Sequence, residues 1–131
     1  MESKTFLDFL PTNFRHEKSY FIQNNLTNFE KLSNLSDSDI NEILRKSSLC
    51  TLNNLKKIRA IAIFKKEIAI SPAEAYLLLH CGIGSIKSLS LSTPYDLVRK
   101  IGRLERSLRV KSETDITVYL LKKWIKRANQ V

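Results

Sequence analysis

The amino-acid sequence predicts an all-α fold. Glycine and proline, on which tight turns and hairpins depend, each occur only three times in 131 residues. Leu, Ile, Lys, Glu and Ser dominate segments that are separated by polar residues typical of helix N-termini. The pattern of apolar positions in the first part of the chain also recurs further along, as expected for two short helical units in tandem.

The recurrence indicates an internal duplication. Residues 16–47 align without a gap with residues 73–104, at an offset of 57 positions. The shared pattern is mainly apolar, and its matched pairs are Leu26 and Ile83, Phe29 and Ile86, Leu32 and Leu89, and Ile40 and Leu97. Because neither short unit can bury its apolar face alone, the two are expected to pack as one compact domain. With 43% hydrophobic residues, the chain can form that core without disulfides or metal.

Capping pairs mark the predicted helix starts. A Ser or Thr with an acidic residue three positions later satisfies backbone N–H groups that the first turn leaves unpaired. Pairs of this kind are Thr27 with Glu30, Ser36 with Asp39, Ser71 with Glu74, Thr93 with Asp96, and Ser112 with Asp115. Pro72 and Pro94 then suit the first helical position. The predicted helices are 15–24, 28–33, 37–46, 52–66, 72–81, 85–90, 94–101 and 113–128.

Two glycines are predicted to end helices. Gly82 follows an apolar run and suits the left-handed position just after a helix. Gly102 is expected to do the same after Ile101, with residues 103–110 as a possible further turn.

Two of the predicted helices are clearly amphipathic. The helix over 52–66 is interpreted as the link between the repeats. In the last helix, Ile116, Tyr119, Leu120 and Trp124 are predicted to share the apolar face. Trp124 is therefore expected in the core, and the alternative is an exposed tryptophan that stacks on nucleic-acid bases.

The charge of the chain is strongly positive and unevenly distributed. The net charge is +9, yet residues 1–40 hold four Lys or Arg against six Asp or Glu, whereas residues 41–131 hold eighteen against seven. A cationic surface of this size attracts nucleic acid, anionic membrane or an acidic protein without choosing among them. The alternative is a lysine-rich surface that only interacts with water.

Histidine and cysteine are too sparse for a metal site. His16, His80, Cys50 and Cys81 lack the paired spacing that brings several ligands to one ion, so no metal is expected. The cysteines are interpreted as free thiols, with a disulfide between them as the alternative. With no signal peptide and no long apolar run in the sequence, a cytoplasmic protein is expected.

The sequence contains no recognisable catalytic motif. Nucleophile elbows, phosphate-binding glycine loops and paired zinc-binding histidines are all missing. Neighbouring acids such as Asp37 and Asp39, or Glu113 and Asp115, stand in first turns, where helix dipoles favour them. We therefore expect no enzyme activity, no cofactor and no small-molecule substrate.

The second repeat resembles a helix-hairpin-helix unit. The similarity lies in Ser71-Pro72-Ala73-Glu74-Ala75, Leu78-Leu79, Gly82-Ile83, Ser85-Ile86, Leu89 and Pro94-Tyr95-Asp96-Leu97. Together with the ending from Val110 to Ala128, the chain resembles the family called domain of unknown function 4332. That resemblance implies two tandem helix-hairpin-helix (SAM-like) units packed as one compact helical domain, with no enzyme activity. The implied parts are a degenerate first unit at 1–50, a connecting helix at 51–67, and a second unit with a C-terminal amphipathic helix at 68–131.

The hairpin of this chain differs from that of better-known relatives. In those relatives, a Gly-hydrophobic-Gly hairpin brings backbone N–H groups close to a phosphate. By the resemblance, the hairpin falls on Ala69-Ile70-Ser71 before Pro72, and on Thr12-Asn13-Phe14 in the first repeat. Added Cβ atoms are expected to disfavour positive φ and keep phosphate at a distance. The visible Gly82-Ile83-Gly84 is assigned to helix capping.

Two functions remain open from the sequence. The first is non-catalytic, non-sequence-specific binding of nucleic acid, in the first place DNA, through a basic helical surface. Its candidate residues are Lys65, Lys66, Ser71, Arg99, Lys100, Arg103, Arg106 and Arg109. The second is a protein–protein interaction adaptor whose basic face meets an acidic partner. A membrane-binding role ranks last, because the terminal helix is expected to hide its apolar side in the core.

Overall fold

The computed structural model describes the backbone of residues 6–108 and 116–131, and this part of the chain is all-α and compact. Its helices are α1 (Arg15–Gln23), α2 (Phe29–Ser33), α3 (Asp37–Lys46), α4 (Leu52–Ile68), α5 (Pro72–His80), α6 (Ile86–Ser90), α7 (Pro94–Leu108) and α8 (Val118–Gln130). Short 3-10 turns at Phe6–Phe9 and Thr12–Phe14 precede α1. The predicted fold class is confirmed.

The duplication is visible in the backbone as well as in the sequence. Helices α5 and α6 begin and end 57 positions after α1 and α2, and α7 begins 57 positions after α3. The turns after α1 and α5 match too, because Asn25 and Gly82 both have positive φ, at 58° and 87°. We call α1–α4 the first half and α5–α8 the second half.

Two of the predicted caps are confirmed and one is wrong. Ser36 and Asp39 form a reciprocal capping box, and the Ser71 hydroxyl accepts a hydrogen bond from the Glu74 N–H at 3.2 Å. The prediction of a Thr27 cap for α2 is wrong, because Asn28 is the cap and its side chain accepts from the Glu30 N–H at 2.7 Å. An Asn side chain at that position reaches the free N–H groups directly. The predicted Ser112 and Asp115 pair lies outside the described residues.

Two predicted helix boundaries also need correction. Gly102 does not end α7, which continues to Leu108. Helix-favouring residues follow Gly102, and Leu104 packs against the core, which offsets the cost of about 1 kcal/mol that one glycine imposes. The last helix begins at Val118, where the Thr117 hydroxyl accepts from the Leu120 N–H at 3.2 Å.

The core is continuous through both halves. Helix α4 packs against α2, α3 and α5, while α8 packs against α6, α7 and α4. Equivalent residues occupy equivalent places, since Phe21 and Leu78, like Leu32 and Leu89, are completely buried. Each such side chain contributes about 1.5–3 kcal/mol through burial. Trp124 is only 2% exposed, which confirms its predicted place in the core.

A buried carboxylate joins α1 to the start of α4. Glu17 is completely buried, and it accepts hydrogen bonds from the Thr51 N–H at 2.9 Å and from Asn54 Nδ2 at 3.1 Å. Thr51 is the N-cap of α4, where the helix dipole favours a negative charge. Glu17 therefore ties α1 to the first turn of α4.

Cys50 and Cys81 are free thiols, as predicted. In residues 6–108 and 116–131, no helix combines the length and the apolar character that crossing a bilayer requires.

Candidate functional site

The predicted site residues fall into two groups on different helices. Lys65, Lys66 and Ser71 lie at the end of α4 and just before α5. Arg99, Lys100, Arg103 and Arg106 lie along α7, which packs against α5 and α8. Arg109 is outside the described residues.

The two lysines of the first group already contact residues of α2 or its end. Lys65 Nζ lies 5.1 Å from the centroid of the Phe29 ring, and Lys66 Nζ donates to Asn34 Oδ1 at 3.4 Å. Both partners belong to α2 or follow it directly. These lysines therefore extend towards α2 and not along the turn at residues 69–71.

In the turn between α4 and α5, the left-handed backbone conformation is adopted by Ala69, which is not a glycine. The expectation that Ala69 would avoid positive φ is wrong, because its φ is 56° and its N–H donates to the Lys65 carbonyl at 3.1 Å. This conformation costs about 1–2 kcal/mol for a residue with a Cβ. It is held by Ile70, which is 1% exposed, and by Arg127 Nη1, which donates to the Ile68 carbonyl at 3.0 Å.

The second group forms a cationic stripe along α7. Arg99 pairs with Asp96 at 2.8 Å and remains largely exposed. Lys100 and Arg103 line an open pocket of about 370 Å³ with His80, Cys81 and Leu104. Arg103 also borders a second hollow of about 430 Å³, which it shares with Val98, Arg99, Gly102 and Arg106. The four cations therefore form one continuous surface.

The pocket at the end of α5 contains two groups with shifted pKa values. Partial burial, with a smaller contribution from the charge of Lys57, lowers the pKa of His80 and so favours the neutral imidazole. Burial raises the pKa of the Cys81 thiol, and the nearby Lys100 only partly opposes this effect. A protonated thiol is a poor nucleophile, so the positive charge of this pocket comes from Lys100 and Arg103.

Helix α8 extends the stripe with a second exposed face. Its exposed side chains at helical spacing are Tyr119, Lys122, Lys123 and Lys126. Lys122 Nζ lies 5.7 Å from the centroid of the Tyr95 ring, which connects α8 to the start of α7. We call Arg99, Lys100, Arg103, Arg106, Lys122, Lys123 and Lys126 the cationic surface.

Tyr119 corrects one sequence prediction. It was expected on the apolar face of the last helix, yet it is 69% exposed. The buried residues of α8 are Leu121, Trp124 and Ala128, and the last two lie three and seven positions after the first. At this helical spacing Tyr119 falls on the opposite side of the helix. The contact between Lys122 and Tyr95 joins two helices and could not be read from either one alone. The spacing of the α8 lysines was the available signal.

The two helices of the cationic surface carry little opposing charge. Helices α7 and α8 together hold eight Lys or Arg and two acidic residues, Asp96 and Glu105. Helix α3, which corresponds to α7 in the first half, holds two Lys or Arg against three acids. Helix α7 therefore carries a net positive charge where α3 carries a net negative one. Among the residues whose positions are described, no three His, Cys, Asp or Glu side chains come together as a metal site.

Comparison with protein families identifies the chain. The model of the family described as Domain of unknown function (DUF4332) matches residues 11–131, and the chain belongs to this family. Curated proteins and solved structures give no significant match.

Proposed function

We propose that this member of the DUF4332 family is a non-catalytic protein that binds the backbone of nucleic acid, in the first place DNA, without reading its sequence. The cationic surface carries this proposal. Its four α7 cations and three α8 lysines are all exposed, and Lys122 reaches the ring of Tyr95 at the start of α7. Arginine is suited to phosphate, because its planar guanidinium can donate two parallel hydrogen bonds to two oxygens.

The proposed contact lies away from the hairpin of the helix-hairpin-helix pattern. We keep that pattern as the architecture of each half, but three features near residues 69–74 disfavour phosphate there. Ala69 has a Cβ at the left-handed position, Pro72 has no N–H, and Glu74 brings a negative charge into the first turn of α5. The Ser71 hydroxyl is also used as a cap. Phosphate therefore meets long side chains on α7 and α8 and not the backbone of the turn.

The proposal includes no chemical step. The pKa values of the Cys81 thiol and the His80 imidazole favour the neutral form of both groups, which suits a binding surface better than a nucleophilic site. The free thiols of Cys50 and Cys81 also support a cytoplasmic location, where thiols stay reduced.

A salt titration tests this function. If about five phosphates are neutralised, the logarithm of the affinity for DNA falls against the logarithm of salt concentration with a slope of about −4 to −5. The Arg103→Glu, Arg106→Glu double variant should weaken binding at least about tenfold and make the slope shallower by about two. The matched control is Lys65→Glu, Lys66→Glu, which makes the same charge change on α4 and should have a much smaller effect.

Circular dichroism of both variants establishes that each is folded. A slope near zero, or absence of binding to duplex and single strands at low salt, would reject nucleic-acid binding. Loss of binding in the α4 variant alone would place the contact on α4 and would contradict a site on α7 and α8.

One observation favours a second function, that of a protein-interaction adaptor. In the first half, Ile22 is 50% exposed and Leu49 is 61% exposed, whereas Leu79, the equivalent of Ile22, packs against the core. Exposed apolar side chains of this kind suit a protein partner. Partners that remain bound after nuclease treatment, and are lost in Leu49→Asp, would support the adaptor. Partners that vanish with the nuclease favour nucleic-acid binding.

A further inference from the structure

Two tyrosines stand exposed where α7 meets α8. Tyr95 is 60% exposed and Tyr119 is 69% exposed, and no other aromatic side chain that the structure describes is as open to solvent. Four other aromatic side chains, Phe14, Phe21, Phe64 and Trp124, are buried in the core. The chain therefore places two aromatic rings on the outside although it has a core that accepts such rings.

The two rings belong to one cluster. Tyr119 and Lys122 are three positions apart on α8, which makes their side chains neighbours on the helix surface. Lys122 Nζ in turn lies 5.7 Å from the centroid of the Tyr95 ring, so this lysine contacts one tyrosine and is a helix neighbour of the other. Lys123 Nζ lies 4.8 Å from the centroid of the Tyr119 ring. Each ring is thus accompanied by an ammonium group.

We infer that Tyr95 and Tyr119 stack on unpaired bases, so that the cationic surface prefers single-stranded over duplex nucleic acid. This inference rests on the proposed function and narrows it to one class of ligand. Aromatic side chains beside cations are the usual means by which proteins hold single strands without reading sequence, because every base has a flat apolar face. In a duplex those faces are already stacked on each other and are closed to a surface tyrosine.

The lysines do not block such stacking. A contact between an exposed ammonium and a ring is worth less than the stacking of a base on that ring. A single strand therefore offers both groups a better partner, because a base stacks on the tyrosine ring and the adjacent phosphate pairs with the lysine ammonium. Lys123, Lys126 and Arg99 are also exposed and supply further cations for phosphate.

The first half has no counterpart of this cluster. The position equivalent to Tyr95 is Ser38, and the position equivalent to Arg99 is Glu42. Glu42 pairs with Arg45 and Lys46, which lowers the net positive charge of that surface. Base stacking is therefore expected in the second half alone.

The test compares two probes and two double variants. The probes are a labelled oligothymidine of about 15 nucleotides, within the usual reach of one binding module, and a duplex of the same length. Replacing both rings in Tyr95→Ala, Tyr119→Ala should weaken single-strand binding by about tenfold for each ring, and duplex binding should change less than about twofold. Tyr95→Phe, Tyr119→Phe keeps both rings and should retain most of the single-strand affinity.

Each outcome decides between the inference and its alternatives. Equal losses for both probes, or no loss in the alanine variant, would overturn base stacking while nucleic-acid binding stands. Wild-type protein that binds only the duplex would overturn it as well. Wild-type protein that binds neither probe at low salt would overturn the proposed function together with the stacking. Because both tyrosines are exposed, thermal unfolding of the alanine variant should match that of the wild type.

Discussion

The first and second halves share a backbone but present different surfaces. The helix starts at 15, 29 and 37 recur at 72, 86 and 94, and Leu32 and Leu89 are buried to the same extent. The net charges of α3 and α7 have opposite signs, and one example of the change is Glu42 on α3 where α7 carries Arg99. After a duplication, the buried positions are constrained by packing, whereas exposed positions are free to change. The binding surface is thus expected where the copies differ most.

The largest expected effects concern the buried core, which the two halves of the molecule have in common. Leu32→Ala and Leu89→Ala each remove a completely buried side chain, and each should lower the free energy of unfolding by about 2–5 kcal/mol. Urea denaturation followed by circular dichroism measures both. Leu91→Ala is the control, because Leu91 is 77% exposed and its loss should cost less than about 0.5 kcal/mol. A cost below 1 kcal/mol for either buried leucine would contradict the equivalence of the two cores.

A buried acid sets the halves apart. Glu17→Ala leaves the Thr51 N–H without its partner and should lower the free energy of unfolding by about 1–3 kcal/mol. The equivalent Glu74 is only half-buried, so Glu74→Ala should cost less. Glu17→Gln keeps one acceptor oxygen and should fall between wild type and Glu17→Ala. Equal costs for the two alanine variants would show that burial of Glu17 carries no special weight.

The turns after α1 and α5 provide a smaller test. Gly82 has φ of 87°, and a Cβ there would meet no atom within 4 Å, so Gly82→Ala is penalised by backbone strain alone. We expect a loss of about 1 kcal/mol in the free energy of unfolding. Gly82→Asn introduces the residue that the first half uses at Asn25, and it should cost less because Asn tolerates this conformation. A lower melting temperature for Gly82→Asn than for Gly82→Ala would disprove the equivalence of the turns.

The smallest expected effect concerns pH. The first half has Gln23 where the second has His80. Partial burial and the charge of Lys57 hold the pKa of His80 below its ordinary value of about 6.5. The unfolded chain therefore takes up the proton more readily, so stability falls as pH drops through that ordinary value and levels off below the lowered pKa. Between pH 7.5 and 5.5, the wild type should lose more thermal stability than His80→Gln. Identical losses would mean that His80 does not contribute.

Local patterns in the sequence were sufficient to predict most of the helices. Caps such as Ser36 with Asp39 depend on residues three positions apart, and the left-handed turn at Gly82 depends on one glycine. Gly102 was misassigned because a glycine inside a helix and one at its end look alike until packing is known. The packing of the partly buried Leu104 against the core shows that the helix continues past Gly102.

The candidate site was harder to predict, because it depends on contacts between helices. The cations of α7 could be named from the sequence, but the approach of Lys122 to Tyr95 links residues 27 positions apart. The engagement of Lys65 with Phe29 is likewise a tertiary contact. The sequence places Tyr119 on the apolar face because it lies three positions after Ile116, yet α8 begins only at Val118 and Ile116 is outside it.

The most direct test of the central claim maps where nucleic acid binds. In an NMR titration of isotope-labelled protein with a short oligothymidine, backbone amide signals of residues 94–106 and 118–130 should shift, and those of α3 should stay in place. Shifts concentrated in α1–α3, or at residues 69–71, would contradict a binding surface formed by α7 and α8.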